Sequence, residues 1–87
     1  MSKNIGFIPF TFVNTYGSID AVIVEPWAVG PELNIGDKLM LKFYGESEDF
    51  DFQVQQNKKT IYIYGGMIDY VEVIINDVDV SHVYRLR

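Results

Sequence analysis

Apolar residues recur at every second position through most of the chain, and nowhere at the three-and-four spacing of an amphipathic helix. Residues 37–44 put Leu39, Leu41 and Phe43 on one side and Lys38, Met40, Lys42 and Tyr44 on the other. Residues 50–55 set Phe50, Phe52 and Val54 against Asp51, Gln53 and Gln55. In 60–64, Ile61 and Ile63 oppose Tyr62 and Tyr64; in 68–75, Val71, Val73 and Ile75 oppose Tyr70, Glu72 and Ile74. A first strand over 6–13 carries Phe10 and Phe12 on one face, with Thr11 and Val13 on the other. Pro9 cannot donate to a ladder, which places this strand at a sheet edge or at a bulge. The run 19–25 contains the continuous stretch AVIV, as in a strand covered on both faces or one that twists between sheets. A last strand is expected over 80–86.

Turn signals separate these runs: NTYGS at 14–18, PWAVGP at 26–31, the acidic GESED at 45–49, Asn57 to Lys59, Gly65-Gly66, and NDVD at 76–79. The pattern predicts an all-β chain, a compact two-sheet antiparallel sandwich of about seven short strands. A small partly open β-barrel is the alternative. With 87 residues there is one domain, 1–87, and no second core.

Composition narrows the function classes. There is no cysteine, so disulfides and thiolate metal sites are excluded, and packing of thirteen aromatic residues has to supply stability. The net charge of −5 opposes nucleic acid and anionic membrane as partners, because both call for a cationic footprint. The apolar run 5–13 is short and holds Pro9 and Thr11, so it reads as a strand and not as a leader; no stretch reaches membrane-helix length. The resulting expectation is a cytoplasmic protein.

Candidate chemistry is sparse. His82 is the sole histidine, which leaves no ligand set for zinc, copper or iron within one chain. Ser81 beside it would face the opposite way on a strand, so the two make no nucleophile–base pair. The cluster Glu46, Glu48, Asp49 and Asp51 lacks the glycine and ligand alternation of a calcium loop and reads as a solvated turn. No catalytic residue, metal site or cofactor is therefore expected. The tyrosines are more informative: Tyr62 and Tyr64 share a face, with Tyr44 and Tyr70 expected on flanking strands, and tyrosine suits a recognition surface.

Residues 25–37 hold the single tryptophan, Trp27, beside Glu25 and Pro26. As a binding loop they would offer an aromatic platform with a carboxylate. As a structural corner, Trp27 turns inward, Leu33 and Ile35 follow it into the core, and Glu25 accepts backbone N–H bonds across the loop. The segment EPW followed by Leu33-x-x-Gly36-Asp37 resembles small bacterial all-β proteins of unassigned function that look like compact β-sandwiches. Its Leu-x-x-Gly-Asp turn is also similar to one in cupredoxin-like sandwiches, whose copper ligands this chain lacks. The expectation is a non-enzymatic protein-interaction or structural module, self-associating as a homodimer or binding another protein through Tyr62, Tyr64, Tyr70 and Trp27. The alternatives are a small-ligand or carbohydrate-binding domain using Trp27, Glu25 and exposed tyrosines, and an acidic inhibitor or immunity-type protein.

Overall fold

Period-two alternation builds strands, and the computed structural model, which describes residues 6–45, 51–66 and 68–86, contains seven of them in two sheets. They are β1 (Gly6–Val13), β2 (Ala21–Glu25), β3 (Lys38–Gly45), β4 (Asp51–Asn57), β5 (Thr60–Gly66), β6 (Tyr70–Ile75) and β7 (Val78–Asp79). A four-residue helical turn, α1 (Ser81–Tyr84), follows. One sheet has the order β1-β3-β6-β7 and is antiparallel throughout; the other has the order β2-β5-β4. The two do not close into a barrel.

The second sheet departs from the expected antiparallel arrangement. β4 and β5 form an antiparallel hairpin, but β2 runs parallel to β5, from Ala21↔Thr60 to Glu25↔Tyr64. The chain alternates between sheets, with β1 and β3 in one and β2 in the other, so β2 reaches β5 only after β3 and β4 have intervened. A long crossover of that kind is what parallel pairing requires.

Inward faces follow the alternation. Leu39, Leu41 and Phe43 of β3 and Val71 and Val73 of β6 meet Val22 and Val24 of β2 and Ile61 and Ile63 of β5 in one buried cluster, joined by Ile19, Leu33 and Leu86. Each such side chain, fully buried, is worth about 1.5–3 kcal/mol, so this cluster holds the sheets face to face. Phe10, Phe12 and Trp27 pack against it from the periphery.

One buried polar residue ties the loops at one end together. Asn14, 1% exposed, donates from Nδ2 to the carbonyls of Ile19 (2.7 Å) and Asn34 (3.0 Å) and accepts the Ile19 N–H at 3.1 Å. Its backbone carbonyl accepts from Gly17 and Gly36. The 14–18 turn is thereby fastened to the turn that leads into β3. In that second turn Asp37 N–H donates to the Asn34 carbonyl, and Gly36 sits at φ +86°. Ile35 is carried to the tip and is 71% exposed, so only Leu33 of the expected Leu33–Ile35 pair enters the core. Asp37 accepts from the Asn34 N–H and the Asn76 amide, which hold its carboxyl below the ordinary range.

Two further expectations are corrected. Gly65 and Gly66, expected as a tight turn or a bulge, lie within β5 in unbroken register with Phe52 and Asp51; Gly65 leaves room for the Ile68 side chain, which would stand 2.2 Å from a Cβ there. The expected strand over 80–86 is instead the two-residue β7 at 78–79 followed by α1. The edge of β6 explains why: Val73 N–H donates to the Ser81 hydroxyl at 2.8 Å, Val80 N–H donates to the Val73 carbonyl, and Val71 N–H donates to the Leu86 carbonyl. A turn that returns Leu86 to the core satisfies that edge without a continuous strand.

Candidate protein-interaction surface

The outer face of the three-stranded sheet is set by register. Across β2, β5 and β4 the rows read Glu25–Tyr64–Gln53, Ile23–Tyr62–Gln55 and Ala21–Thr60–Asn57. Glu25, Tyr62 and Tyr64 are thus brought together, with Gln53 and Gln55 beside the tyrosines. Tyr64 is 43% exposed and Tyr62 is half-buried. The two glutamines extend this face, and sequence reasoning had placed them only as outward-facing; the signal was their parity with Tyr62 and Tyr64 across a two-residue turn.

Tyr70 is elsewhere. It lies on the outer face of the other sheet, stacked on Tyr44 with ring centroids 4.5 Å apart and planes 9° from parallel. Phe7 continues the row at 5.4 Å from Tyr44, and Lys42 Nζ stands 5.0 Å from the Phe7 ring centre. The Tyr44 hydroxyl donates to Glu72, and that bond, with burial and the negative charge adding, pushes the phenol up to about 12. This row is a mutually satisfied cross-strand stack.

Trp27 packs on the core cluster from the loop after β2 and is half-buried. The loop is bonded to β2 in both directions: the loop's Ala28 N–H donates to the Val24 carbonyl, and the Val24 N–H of β2 donates to the loop's Val29 carbonyl. Glu25 is not the acceptor of the Ala28 N–H, contrary to expectation. Its carboxylate points to the outer sheet face because it alternates with the buried Val24.

Edges differ in how they are protected. Along β2 the loop folds back as a strap, with Val22 N–H donating to the Pro31 carbonyl and Leu33 N–H to the Asp20 carbonyl. The strap can lie this close because residue 30 is glycine: a Cβ there would be 1.8 Å from the Val22 oxygen. Along β1, Asn14 N–H donates toward β3, so by alternation Pro9 turns its nitrogen to the open side and removes one donor from the middle of that edge. The β6 side is covered by β7 and the C-terminal turn. Nothing among the described residues pairs with the outer edge of β4.

The orientation of the β4 edge follows from its hairpin. Asn57 and Thr60 are partners flanking the two-residue turn Lys58-Lys59, with Lys58 at φ +56°. The turn bond joins Asn57 C=O to Thr60 N–H, so Asp51, Gln53, Gln55 and Asn57 bond to β5. Phe52, Val54 and Gln56 present N–H and C=O outward. Asp20 N–H donating to the Lys59 carbonyl agrees, since it places Lys59 toward β2 on the far side of β5. Residues 53–57 are exposed on both faces; Val54, inward by parity, is 45% exposed.

A cleft of about 450 Å³, open to solvent, lies between β6 and the C-terminal turn and is lined by Tyr70, Val71, Glu72, Ser81, His82, Arg85 and Leu86. Two of its polar side chains, Ser81 and Glu72, are held by hydrogen bonds, as is the neighbouring Asp79. Ser81 is held by Val73, Glu72 accepts from Tyr44, and hydrogen bonds from Ser81 keep the Asp79 carboxyl below its usual range, His82 and Lys42 adding to this. No cluster of three or more metal-ligating side chains occurs among the described residues; Glu46, Glu48 and Asp49 lie outside them. No described helix is long and apolar enough to cross a membrane. No protein-family model matches the chain, and neither curated proteins nor solved structures yield a match.

Proposed function

We propose that the chain is a non-enzymatic protein-interaction module that takes an extended segment of a partner along the outer edge of β4. The observation that carries this reading is the contrast among edges: β2 is strapped, β1 is interrupted by Pro9, the β6 side is closed, and no described residue pairs with the outer edge of β4 over residues 52–56. Three outward-facing residues each offer an N–H and a C=O, which is the template for strand addition. Selectivity comes from the side chains. An incoming strand meets Gln53 and Gln55 backed by Tyr64 and Tyr62 on the outer face, and Val54 on the inner face. A partner with neutral polar residues on one side and apolar residues on the other fits both.

Panning a library of extended peptides against the wild-type chain and against Val54→Pro tests this. Val54 N–H takes no part in the β4–β5 ladder, so proline there removes an outward donor without cutting the hairpin. Peptides are expected that bind the wild type and lose at least tenfold on V54P. If no peptide is sensitive to V54P and the protein does not self-associate, the proposal fails.

A second reading is supported by the Glu25–Tyr64–Gln53 row: rings for stacking on sugar C–H faces, with an amide and a carboxylate for hydroxyls. It requires Tyr62 and Tyr64 but not Trp27. Glycan-array binding abolished by Tyr64→Ala would favour it, and an array with no binding would remove it.

A further inference from the structure

The partner for the β4 edge need not be foreign. We propose that it is a second copy of this chain, joined by antiparallel β4–β4 pairing on a two-fold axis at Val54. The inference rests on the strand-addition reading above and adds the identity of the partner.

Three properties of β4 point to self-pairing. Charge is the first. In a chain of net charge −5, residues 52–57 (FQVQQN) carry no ionisable group, so two copies can approach along this edge without placing like charges opposite one another. The ends are also complementary. Antiparallel pairing brings the Lys58-Lys59 end of one strand to the end of the other that begins at Asp51. Acidic and basic ends then meet twice, once on each side of the axis.

Register is the second property. Val54 is the middle residue of the seven in β4, and its N–H and C=O face outward. A two-fold axis there pairs Val54 with Val54 of the partner subunit as a hydrogen-bonded pair. It pairs Gln53 with Gln55 of the partner subunit, and Asp51 with Asn57 of the partner subunit. Every residue of the strand is then matched. A slip that preserves the hydrogen-bonding parity leaves residues unpaired at both ends, so the centred register is the one of greatest overlap.

The third is apolar surface. Val54 is 45% exposed on the inner face, and pairing places the equivalent valine against it. Sheets of order β2-β5-β4 become one six-stranded sheet with β4 at its centre, and the rows of Tyr62, Tyr64, Gln53 and Gln55 run continuously across the axis.

The absence of native cysteine makes the test clean. Light scattering at ~100 μM is expected to give twice the 10.0 kDa chain mass, and V54P to return it to the monomer. Val54→Cys should form a covalent dimer on mild oxidation, because paired Cα atoms in such a ladder are about 5.5 Å apart, within disulfide reach. Gln55→Cys should not, because residue 55 meets its own copy only diagonally, about 7–8 Å away. A monomer at that concentration, a dimer indifferent to V54P, or cross-linking by Q55C in place of V54C would each overturn the proposal. A monomer that still selects V54P-sensitive peptides would leave strand addition standing without the second copy. A monomer that selects none would remove both.

Discussion

Replacing Asn14 by alanine should unfasten the loop end of the sandwich. The side chain is 1% exposed and makes three hydrogen bonds, two donated to the Ile19 and Asn34 carbonyls and one accepted from the Ile19 N–H. Each bond is worth about 0.5–1.5 kcal/mol net, and a buried group left without its partner costs about 1–3 kcal/mol. The Ile19 N–H is the most exposed to that penalty, since Ile19 is itself buried and an amide has no second option. Together these give a loss of about 3–5 kcal/mol, a large part of the roughly 5–15 kcal/mol typical of a whole domain. Urea unfolding followed by Trp27 emission measures it directly. With a slope of about 1–2 kcal/mol/M, the midpoint should fall by roughly 1.5–5 M at unchanged slope. A loss under about 1 kcal/mol would refute the reasoning, because it would mean the three backbone groups find other partners at no cost. Asn14→Asp separates geometry from hydrogen bonding. It keeps the acceptor but turns an oxygen toward two carbonyls, so the folded state favours the protonated acid and raises its pKa. The variant should therefore stand closest to wild type below the unfolded carboxyl pKa and lose stability as pH rises through the raised value.

Two further outcomes follow from single contacts. Tyr44, pushed up to about 12 by its bond to Glu72, should be among the last tyrosines to ionise in a UV difference titration. Its neutral form is favoured by folding, so that contribution is whole below the free-phenol pKa of about 10 and is lost as pH climbs toward 12; Tyr44→Phe should abolish this segment of the pH–stability curve. Gly30 and Gly36 should respond differently to alanine. At Gly30 a Cβ would lie 1.8 Å from the Val22 oxygen, so the strap must leave the β2 edge, whereas at Gly36 nothing lies within 4 Å and only the φ of +86° is strained. G36A should cost about 1–2 kcal/mol. G30A should cost more and promote aggregation through the uncovered β2 edge, and equal losses in thermal unfolding would contradict this account.

Much of the fold was legible because side-chain alternation is a local property of an extended chain. The parity of 37–44 predicted that Leu39, Leu41 and Phe43 are buried, and the same reasoning held for Ile61, Ile63, Val71 and Val73. Pro9 marked an edge strand because a missing donor has only one tolerable direction to point. Parity could also align Tyr62 and Tyr64, since two residues on one strand always share a face. It could not join Tyr70 to them, because which sheet β6 enters depends on the path of the intervening chain.

Pairing, coverage and edges were decided only by the tertiary structure. β2 runs parallel to β5 because β3 and β4 intervene in the route between them, and no residue within AVIVE encodes that partner. Ile35 and Val54 both have the parity of core residues. Ile35 is at the tip of a turn fastened to Asn14, and Val54 is on the terminal strand of its sheet, where it stays 45% exposed. The 80–86 segment has strand-like composition, yet it turns because the open side of β6 needed the Ser81 hydroxyl and the Leu86 carbonyl. By itself the sequence determined which face of each strand turns inward, through a repeat of two that needs no partner. Which edge stayed bare was a matter of long-range closure: a strap, a proline and a C-terminal turn cover or interrupt the other edges, and among the described residues none pairs with the outer edge of β4.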